Sequence, residues 1–410
     1  MKNCKKCLYS ENHALNIIID DDGICSGCRV HEEKNTIDWI KREEELIELL
    51  NQYRNTSGNN YDCIIPVSGG KDSFFIVDTI KNKFKMNPLL VTYNKQYNTA
   101  VGYRNLTKLK NIFDCDIMTL TVDPLIVKNI TRATIRRLGS IYWHCIAGQT
   151  VFPVNMAVKL KVPLIIWGAH QGVDQVGMFS HYDYVEMTRK YRKEHDLMGI
   201  EAEDLVNEDL DQLKLSDLKS YIYPDDSEIQ KVGVRGIYLN NYIKWDSKAQ
   251  HEQMIAKYKY ETALQTRTFD CYNDIDCFVY SDLHDYLKFI KHGYGKVIDH
   301  LSREIRFDRL SREEALSISK KYQFEMPKFR SLFLNWIGIT DEGFNYLIDQ
   351  YRNEKFWYRD DNWKWNYVDY LGILNAEQKI NEEFISSFLI TEEFESTDSK
   401  DSFILIGKGC

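Results

Sequence analysis

Between residues 61 and 73 the chain reads Tyr-Asp-Cys-Ile-Ile-Pro-Val-Ser-Gly-Gly-Lys-Asp-Ser. Its first part, Cys63-Ile64-Ile65-Pro66-Val67, has the length and apolar composition of a buried strand. Ser68-Gly69-Gly70 interrupts that run, and a helical pattern resumes with Phe74, Phe75, Ile76, Val77 and Ile80. A strand that turns through two glycines into a helix gathers backbone N–H groups and the positive helix end at one point, which makes an anion site. Gly69 and Gly70 permit torsions closed to other residues and let a ligand approach the backbone. Ser68 and Ser73 add hydroxyl donors, Lys71 adds a cation, and Asp72 is placed to hold a phosphate-borne metal ion such as Mg²⁺. The spacing is not that of a Walker A loop.

Outward from this loop, apolar runs recur at 88–94, 116–122 and 164–167, with helical patterns at 101–112 and 150–160 between them. Such alternation predicts an α/β domain with a parallel sheet. Ligands of these sheets sit beyond the carboxyl ends of the strands, so Ser68–Ser73, Tyr93-Asn94 and the residues after Trp167 are expected to converge. Among the last, His170 and Asp174 are candidates to bind a metal or orient a substrate. His144 and Cys145 stand at a helix entrance. Cys145 is there either a thiol activated by the helix end or a buried structural residue.

The N-terminus carries Cys4-x-x-Cys7 and Cys25-x-x-Cys28, with seventeen residues between the pairs. That is the spacing of a tetrahedral zinc ribbon or knuckle. A segment of about thirty residues buries no core of its own, and a structural metal is the usual remedy. With four thiolates the coordination is closed, so Zn²⁺ there is structural and not catalytic. His13 and His31 are read as surface residues. Trp39, Ile40, Leu46, Ile47, Leu49 and Leu50 then mark an amphipathic helix joining the module to the main domain.

With 410 residues, two or three domains are expected. Hydrophobic residues at 43% and charged residues at 28% fit a globular chain. No apolar run reaches membrane-spanning length, and Met1–Cys7 lacks a signal-peptide core, so a cytoplasmic protein without a membrane partner is expected. A net charge of −8 argues against nucleic acid as the main partner. In a reducing compartment, ten cysteines point to metal binding or chemistry and not to disulfides.

Acidic amphipathic helices are expected across 196–219. Beyond residue 237 aromatics mix with Lys, Arg and His. Trp245, His284, Tyr286, Lys291 and Arg306 are candidates to face a sugar or an anionic substrate, with His144 and Cys145 beside them. The spacing of His284, Lys288 and Lys291 puts them on one side of a helix, which an ordinary solvated face also gives. Trp336, Trp357, Trp363 and Trp365 form a tryptophan-rich end that fits core, partner surface or ligand platform equally.

Ser68-Gly69-Gly70-Lys71-Asp72-Ser73 matches the Ser-Gly-Gly-x-Asp-Ser signature of the PP-loop ATP pyrophosphatases. That resemblance implies an adenine nucleotide alpha-hydrolase-like, Rossmann-like domain that cleaves ATP between its α and β phosphates. Lys71, Asp72 and Ser73 would then be catalytic, and Tyr93-Asn94 would stand where the family holds the adenosine. Residues 168–174 resemble, with the spacing off by one, the family's Gly-His-x-x-Asp stretch. Adding the four-Cys module, the Val162–Gly168 strand, Asn241–Asp246 and His284 through Gly295, the sequence resembles the N-acetyl sugar amidotransferases over about residues 1–325. These make acetamidino sugars for lipopolysaccharide and nonulosonic acid biosynthesis. The resemblance implies ATP, Mg²⁺ and Zn²⁺, an acetamido sugar substrate, and a separate glutaminase resembling that of the histidine-pathway amidotransferase pair. Lys2 follows Met1 where a built-in N-terminal glutaminase needs Cys, and no nucleophile elbow is visible. The expected organisation is a zinc module (1–31), a linker helix (32–59), a PP-loop ATP-binding domain (60–215), a helical substrate-binding region (216–330) and an aromatic-rich extension (331–410). Two rival readings are a PP-loop tRNA sulfur transferase using Cys145, Cys271 or Cys277, and a non-catalytic zinc-ribbon scaffold.

Overall fold

The computed structural model describes residues 1–207, 210, 212–377 and 380–391. Five strands form one parallel sheet: β1 (Cys63–Pro66), β2 (Pro88–Tyr93), β3 (Ile117–Leu120), β4 (Leu164–Trp167) and β5 (Arg235–Tyr238). Their order is β3-β2-β1-β4-β5. The central strands are apolar on both faces because helices cover both. Ile64, Leu89, Val91 and Ile165 pack on Val151, Val154 and Ala157. On the opposite face Cys63, Ile65, Leu90 and Ile166 meet Phe74, Val77 and Ile80.

β5 lies past residue 215, where the ATP-binding domain was expected to end, so the sheet draws its fifth strand from the region assigned to substrate binding. Between β1 and β4 the strand order reverses, and at such a switch point the loops splay apart and leave a crevice. The Ser68–Ser73 loop opens onto it.

Around the sheet run α1 (Ser26–Glu33), α2 (Trp39–Tyr53), α3 (Lys71–Val77), α4 (Ala100–Phe113), α5 (Pro124–Leu138) and α6 (Trp143–Leu160). α2 begins on an Asp38 cap. Its Arg42 donates to the carbonyls of Asn241 and His181, and Leu46, Leu49 and Leu50 enter the core. α6 begins at Trp143 and not at Thr150, and it contains Pro153. The acidic helices expected across 196–219 reduce to short turns at Glu203–Leu205, Leu215–Leu218 and Lys219–Tyr221. Glu208, Asp209 and Asp211 lie outside the described residues.

The remainder is mainly helical: α7 (Ser247–Tyr258), α8 (Phe278–His292) and α9 (Lys296–Arg306), then three helices between Arg312 and Asp349. A small antiparallel hairpin, Trp357–Arg359 against Trp365–Tyr367, follows. It resolves the tryptophan cluster: Trp336 and Trp357 are core, Trp365 is half-buried and Trp363 is exposed at the turn. The apolar run Phe403–Ile406 lies outside the described residues. Among the described residues no helix is long and apolar enough to cross a membrane.

Candidate active site

The loop after β1 is braced by its own hydroxyls. The Ser68 N–H donates to Ser73 Oγ (3.1 Å) and the Gly70 N–H to Ser68 Oγ (3.1 Å). Gly69 sits at φ +79°, and a Cβ there would lie 2.6 Å from the Gly102 carbonyl oxygen, so both torsion and packing demand glycine. Lys71 Nζ donates to Asp72 Oδ1 and to Ser247 Oγ, each at 3.1 Å. His251 Nε2, from α7, lies 3.3 Å from the same Asp72 oxygen. Burial alone would raise the Asp72 carboxyl, but Lys71 and His251 hold it well below the usual carboxylate range. Burial in turn takes His251 down to about 4. The pair is therefore a carboxylate beside a neutral imidazole at neutral pH.

Two cavities meet at this loop. The smaller, about 110 Å³, is lined by Ser68, Thr92, Tyr93, Asn94, Tyr103 and Leu106, among others. Thus the ends of β1 and β2 converge as the strand-end rule requires. The Tyr93 hydroxyl is held by His144 Nδ1 (3.1 Å) and the Tyr221 hydroxyl (2.7 Å). The larger, about 610 Å³, is walled by Lys71 and Asp72 on one side and by residues of α8 and α9 on the other. Its charged groups are paired. Lys296 lies 2.7 Å from Asp282, Arg303 donates to Asp270 (2.6 Å), and Lys288 is bonded to Asp299. Lys95 lines both cavities.

The residues proposed from sequence divide. Trp245 and His284 line the large cavity; Trp245 packs edge-on to Phe75, and His284 stacks on Tyr142 at 4.8 Å. Asp174 also lines it, but its carboxylate is tied to Lys34. His170 turns away into an aromatic cluster of Phe179, Tyr191 and Tyr238. Lys291 reaches back to the Leu138 carbonyl at the end of α5 (3.2 Å) and does not line the large cavity. Tyr286 packs near Phe289, with the Arg267 guanidinium over its ring. His144 and Cys145 are buried under Tyr93 and line neither cavity. Burial pushes the Cys145 thiol well up, so the helix entrance does not activate it. Cys271 and Cys277 are likewise buried and pushed up to about 12. Among the described residues the metal-capable group is the N-terminal four-Cys cluster.

Arg306 is the largest correction. Its Nη2 lies 3.9 Å from both Cys7 Sγ and Cys25 Sγ, and its Nη1 donates to the Gln175 carbonyl (2.6 Å). It serves the cysteine module and not the cavity.

Sequence reasoning missed Lys95, His251, Arg303 and the carboxylates of 270–276. The available signal was the run Asp270, Asp274, Asp276, dense in acid for a buried loop. His13, read as surface, is buried against Tyr9 and Tyr294 and lines the large cavity.

In the module the four Sγ atoms lie within 4.8 Å of one another, with Cys7–Cys25 at 3.5 Å and Cys4–Cys28 at 4.0 Å. Tetrahedral Zn–S bonds of about 2.3 Å space sulfurs roughly 3.8 Å apart, so this set fits the ion. The backbone N–H groups of Lys6, Cys7 and Cys25 point at Cys4 Sγ at 3.3–3.4 Å, a pattern that favours thiolate.

The structure thus joins a parallel α/β sheet, with a Ser-Gly-Gly-Lys-Asp-Ser loop at its switch point, to a four-Cys module. Residues 252–371, which supply α8, α9 and the acidic loop before them, match the family described as LPS biosynthesis protein WbpG-like, C-terminal domain. This match supports the family resemblance seen in the sequence. The chain is 29% identical over 120 residues to an uncharacterised protein of Methanocaldococcus jannaschii, a match covering 29% of this chain and 43% of that one. The chain thus spans less than half the length of that curated relative. Among solved structures it is similar to an NH3-dependent NAD synthetase from Campylobacter jejuni in complex with the nitrate ion. The identity is 17%, covering 48% of this chain and 92% of the other, with a TM-score of 0.27. It is also similar to the NMN synthetase from Francisella tularensis, at 11% identity, covering 56% and 98%, again with a TM-score of 0.27.

Proposed function

We propose that this protein is an ATP-dependent, cytoplasmic amidotransferase that converts the N-acetyl group of a bacterial sugar into an acetamidino group. The observation that carries the reading is the shared boundary of the two cavities. The loop braced by Ser68 and Ser73 lies between a small pocket at the ends of β1 and β2 and a large polar cavity walled by the WbpG-like region. ATP would place its adenosine against Tyr93 and Asn94, its phosphates on the loop, and its α-phosphorus toward the large cavity.

An acetamido oxygen is too poor a leaving group for ammonia to displace. Attack of that oxygen on the α-phosphorus breaks the bond to the β-phosphate and releases pyrophosphate, leaving an imidoyl adenylate. Ammonia adds to the activated carbon and loses a proton; AMP departs with the former amide oxygen, and the amidine remains. Loop N–H groups and Lys71 would take up charge on the leaving pyrophosphate. Asp72, ionised and 38% exposed, is the group to hold Mg²⁺, which would neutralise the same charge when bound. Exclusion of bulk water from the cavity once the substrates fill it would protect the adenylate from hydrolysis back to the amide. Zn²⁺ on Cys4, Cys7, Cys25 and Cys28 would be structural. Ammonia would come from a separate glutaminase subunit; glutamine hydrolysis by this chain alone would refute that part.

The test is incubation with ATP, Mg²⁺, an ammonium salt and a panel of acetamido sugars. AMP, pyrophosphate and a product lighter by the difference between O and NH are expected in mass spectra. ATP binding with no AMP formed from any sugar would favour the non-catalytic scaffold and sink the proposal.

A further inference from the structure

Lys95 is common to the linings of both cavities, with Ser68, Tyr93 and Asn94 on one side and Lys71 and Asp72 on the other. Its Nζ donates to Asp276 Oδ2 at 2.7 Å and lies 3.5 Å from Cys277 Sγ. The side chain is 10% exposed, so the ammonium is fixed in the partition and not free in solvent. Burial would lower its pKa, but the Asp276 charge more than offsets that and keeps it a cation.

The partition is rigid. The Thr99 N–H donates to the Asp276 carbonyl at 3.0 Å, and Thr99 Oγ1 is bonded to the Ile275 carbonyl. A Cβ on Gly102 would lie 2.5 Å from Asp276 Cα, so the first turn of α4 is packed directly on this loop. Lys95 comes from the segment after β2, while Asp276 comes from the WbpG-like region. The ion pair therefore joins the two parts of the chain where their cavities meet.

We propose that Lys95 is a catalytic residue of the adenylation step, contacting the non-bridging oxygens of the α-phosphate. This rests on the function proposed above. In that reaction the α-phosphorus must be reached from both sides at once, by adenosine from the small pocket and by the acyl oxygen from the large cavity. The group at the junction of the two meets that phosphate. As the acyl oxygen bonds to phosphorus and the bond to pyrophosphate breaks, negative charge gathers on the equatorial oxygens. A cation already fixed by Asp276 stabilises that charge without reorganising. Asp276 acts as a positioning residue that holds Nζ at the partition before ATP arrives.

The experiment compares wild type, Lys95→Met and Lys95→Arg with saturating ammonium, measuring kcat and KM for AMP formation along with ATP binding by calorimetry. Lys95→Met is expected to lose about 10²- to 10³-fold in kcat, as when one transition-state donor is removed. ATP affinity should stay within a few-fold, and Lys95→Arg should recover part of the rate. A folded Lys95→Met enzyme with wild-type kcat overturns the assignment, and so does a loss confined to ATP affinity. Should Lys95→Met fail to fold because Asp276 is left unpaired, the double replacement Lys95→Met with Asp276→Leu removes both charges and is measured instead, against the same criteria. If wild type forms no AMP with any acetamido sugar, the function itself falls and takes this role with it. Normal turnover in both wild type and the Lys95→Met variant removes only Lys95.

Discussion

Replacing Arg306 with Met tests whether the cysteine module is a metal site whose charge is balanced from across the molecule. Arg306 is 3% exposed, stands over the Tyr9 ring at 5.0 Å, and lies 3.9 Å from two of the four sulfurs. Four thiolates around Zn²⁺ would carry a formal charge of about −2, and the guanidinium stands within hydrogen-bond reach of two of them. At 3.9 Å and an effective dielectric of about 20, two unit charges attract by roughly 4 kcal/mol. Desolvation of the buried guanidinium offsets part of that. The expected loss is the 10- to 100-fold, about 1.4–2.7 kcal/mol, found when outer partners of metal ligands are removed. The assay is competition for zinc against a chromophoric chelator, with circular dichroism to confirm the fold. Lys at 306 should restore part of the affinity, because it keeps the charge without the planar fork. An affinity for zinc within about twofold of wild type in Arg306→Met would refute the argument. So would a weakened KM for the sugar with zinc binding intact, which would return Arg306 to the substrate.

Asp72→Asn and Ser73→Ala should each abolish AMP formation while zinc content and the circular dichroism of the folded chain stay as in wild type. Gly148 faces Tyr93 so closely that a Cβ would lie 2.4 Å from the ring. Gly148→Ala should destabilise by about 1–3 kcal/mol in urea unfolding, and should weaken ATP binding because Tyr93 lines the small pocket. Asp196 has its carboxyl pushed up to about 6 by burial, from 3.8. Its folded state therefore binds more protons than the unfolded state between about pH 4 and 6, and stability falls as pH rises through that window. Asp196→Asn should raise the Tm at pH 7.5 and leave it unchanged at pH 3.5, as read by calorimetry. An equal effect at both pH values would remove burial of charge as the cause.

The loop and three of the strands were legible because β1, β2 and β4 are buried and read as apolar runs, while the half-exposed β3 was legible from its Ile117-Met118 and Leu120 alone. β5 was not, since Arg235-Gly236-Ile237-Tyr238 is short and holds a charge and a glycine. Gly236 is explained only by the fold: a Cβ there would lie 2.7 Å from Met187. The cysteine spacing carried the module, because ligand geometry is local. What sequence spacing could not supply was direction. Lys288 and Lys291 share a helix, yet one meets Asp299 in the cavity while the other reaches the end of α5. Arg306 looked like a substrate cation because the sulfurs it serves are nearly three hundred residues away in the chain. Lys95 and His251 gave no signal, since the partner that fixes each lies about 180 positions distant.

That same separation bears on how the chain acquires its structure during synthesis. The cysteine pairs leave the ribosome before the sheet and α9, and a metal could bind them then because their ligands are close in sequence. Their resting place is α9, where Leu8 meets Ser302, Tyr9 meets Asp299 and Cys7 meets Arg306, at separations of 290 to 299 residues. Closing so long a loop is the slow part of forming such contacts. A metal-loaded module would then wait as a small body through translation of the sheet, with Tyr9 and His13 not yet covered by α9. Its docking is then among the last events of folding, and a chain cut short before α9 would carry a metal knot with nothing to seat it.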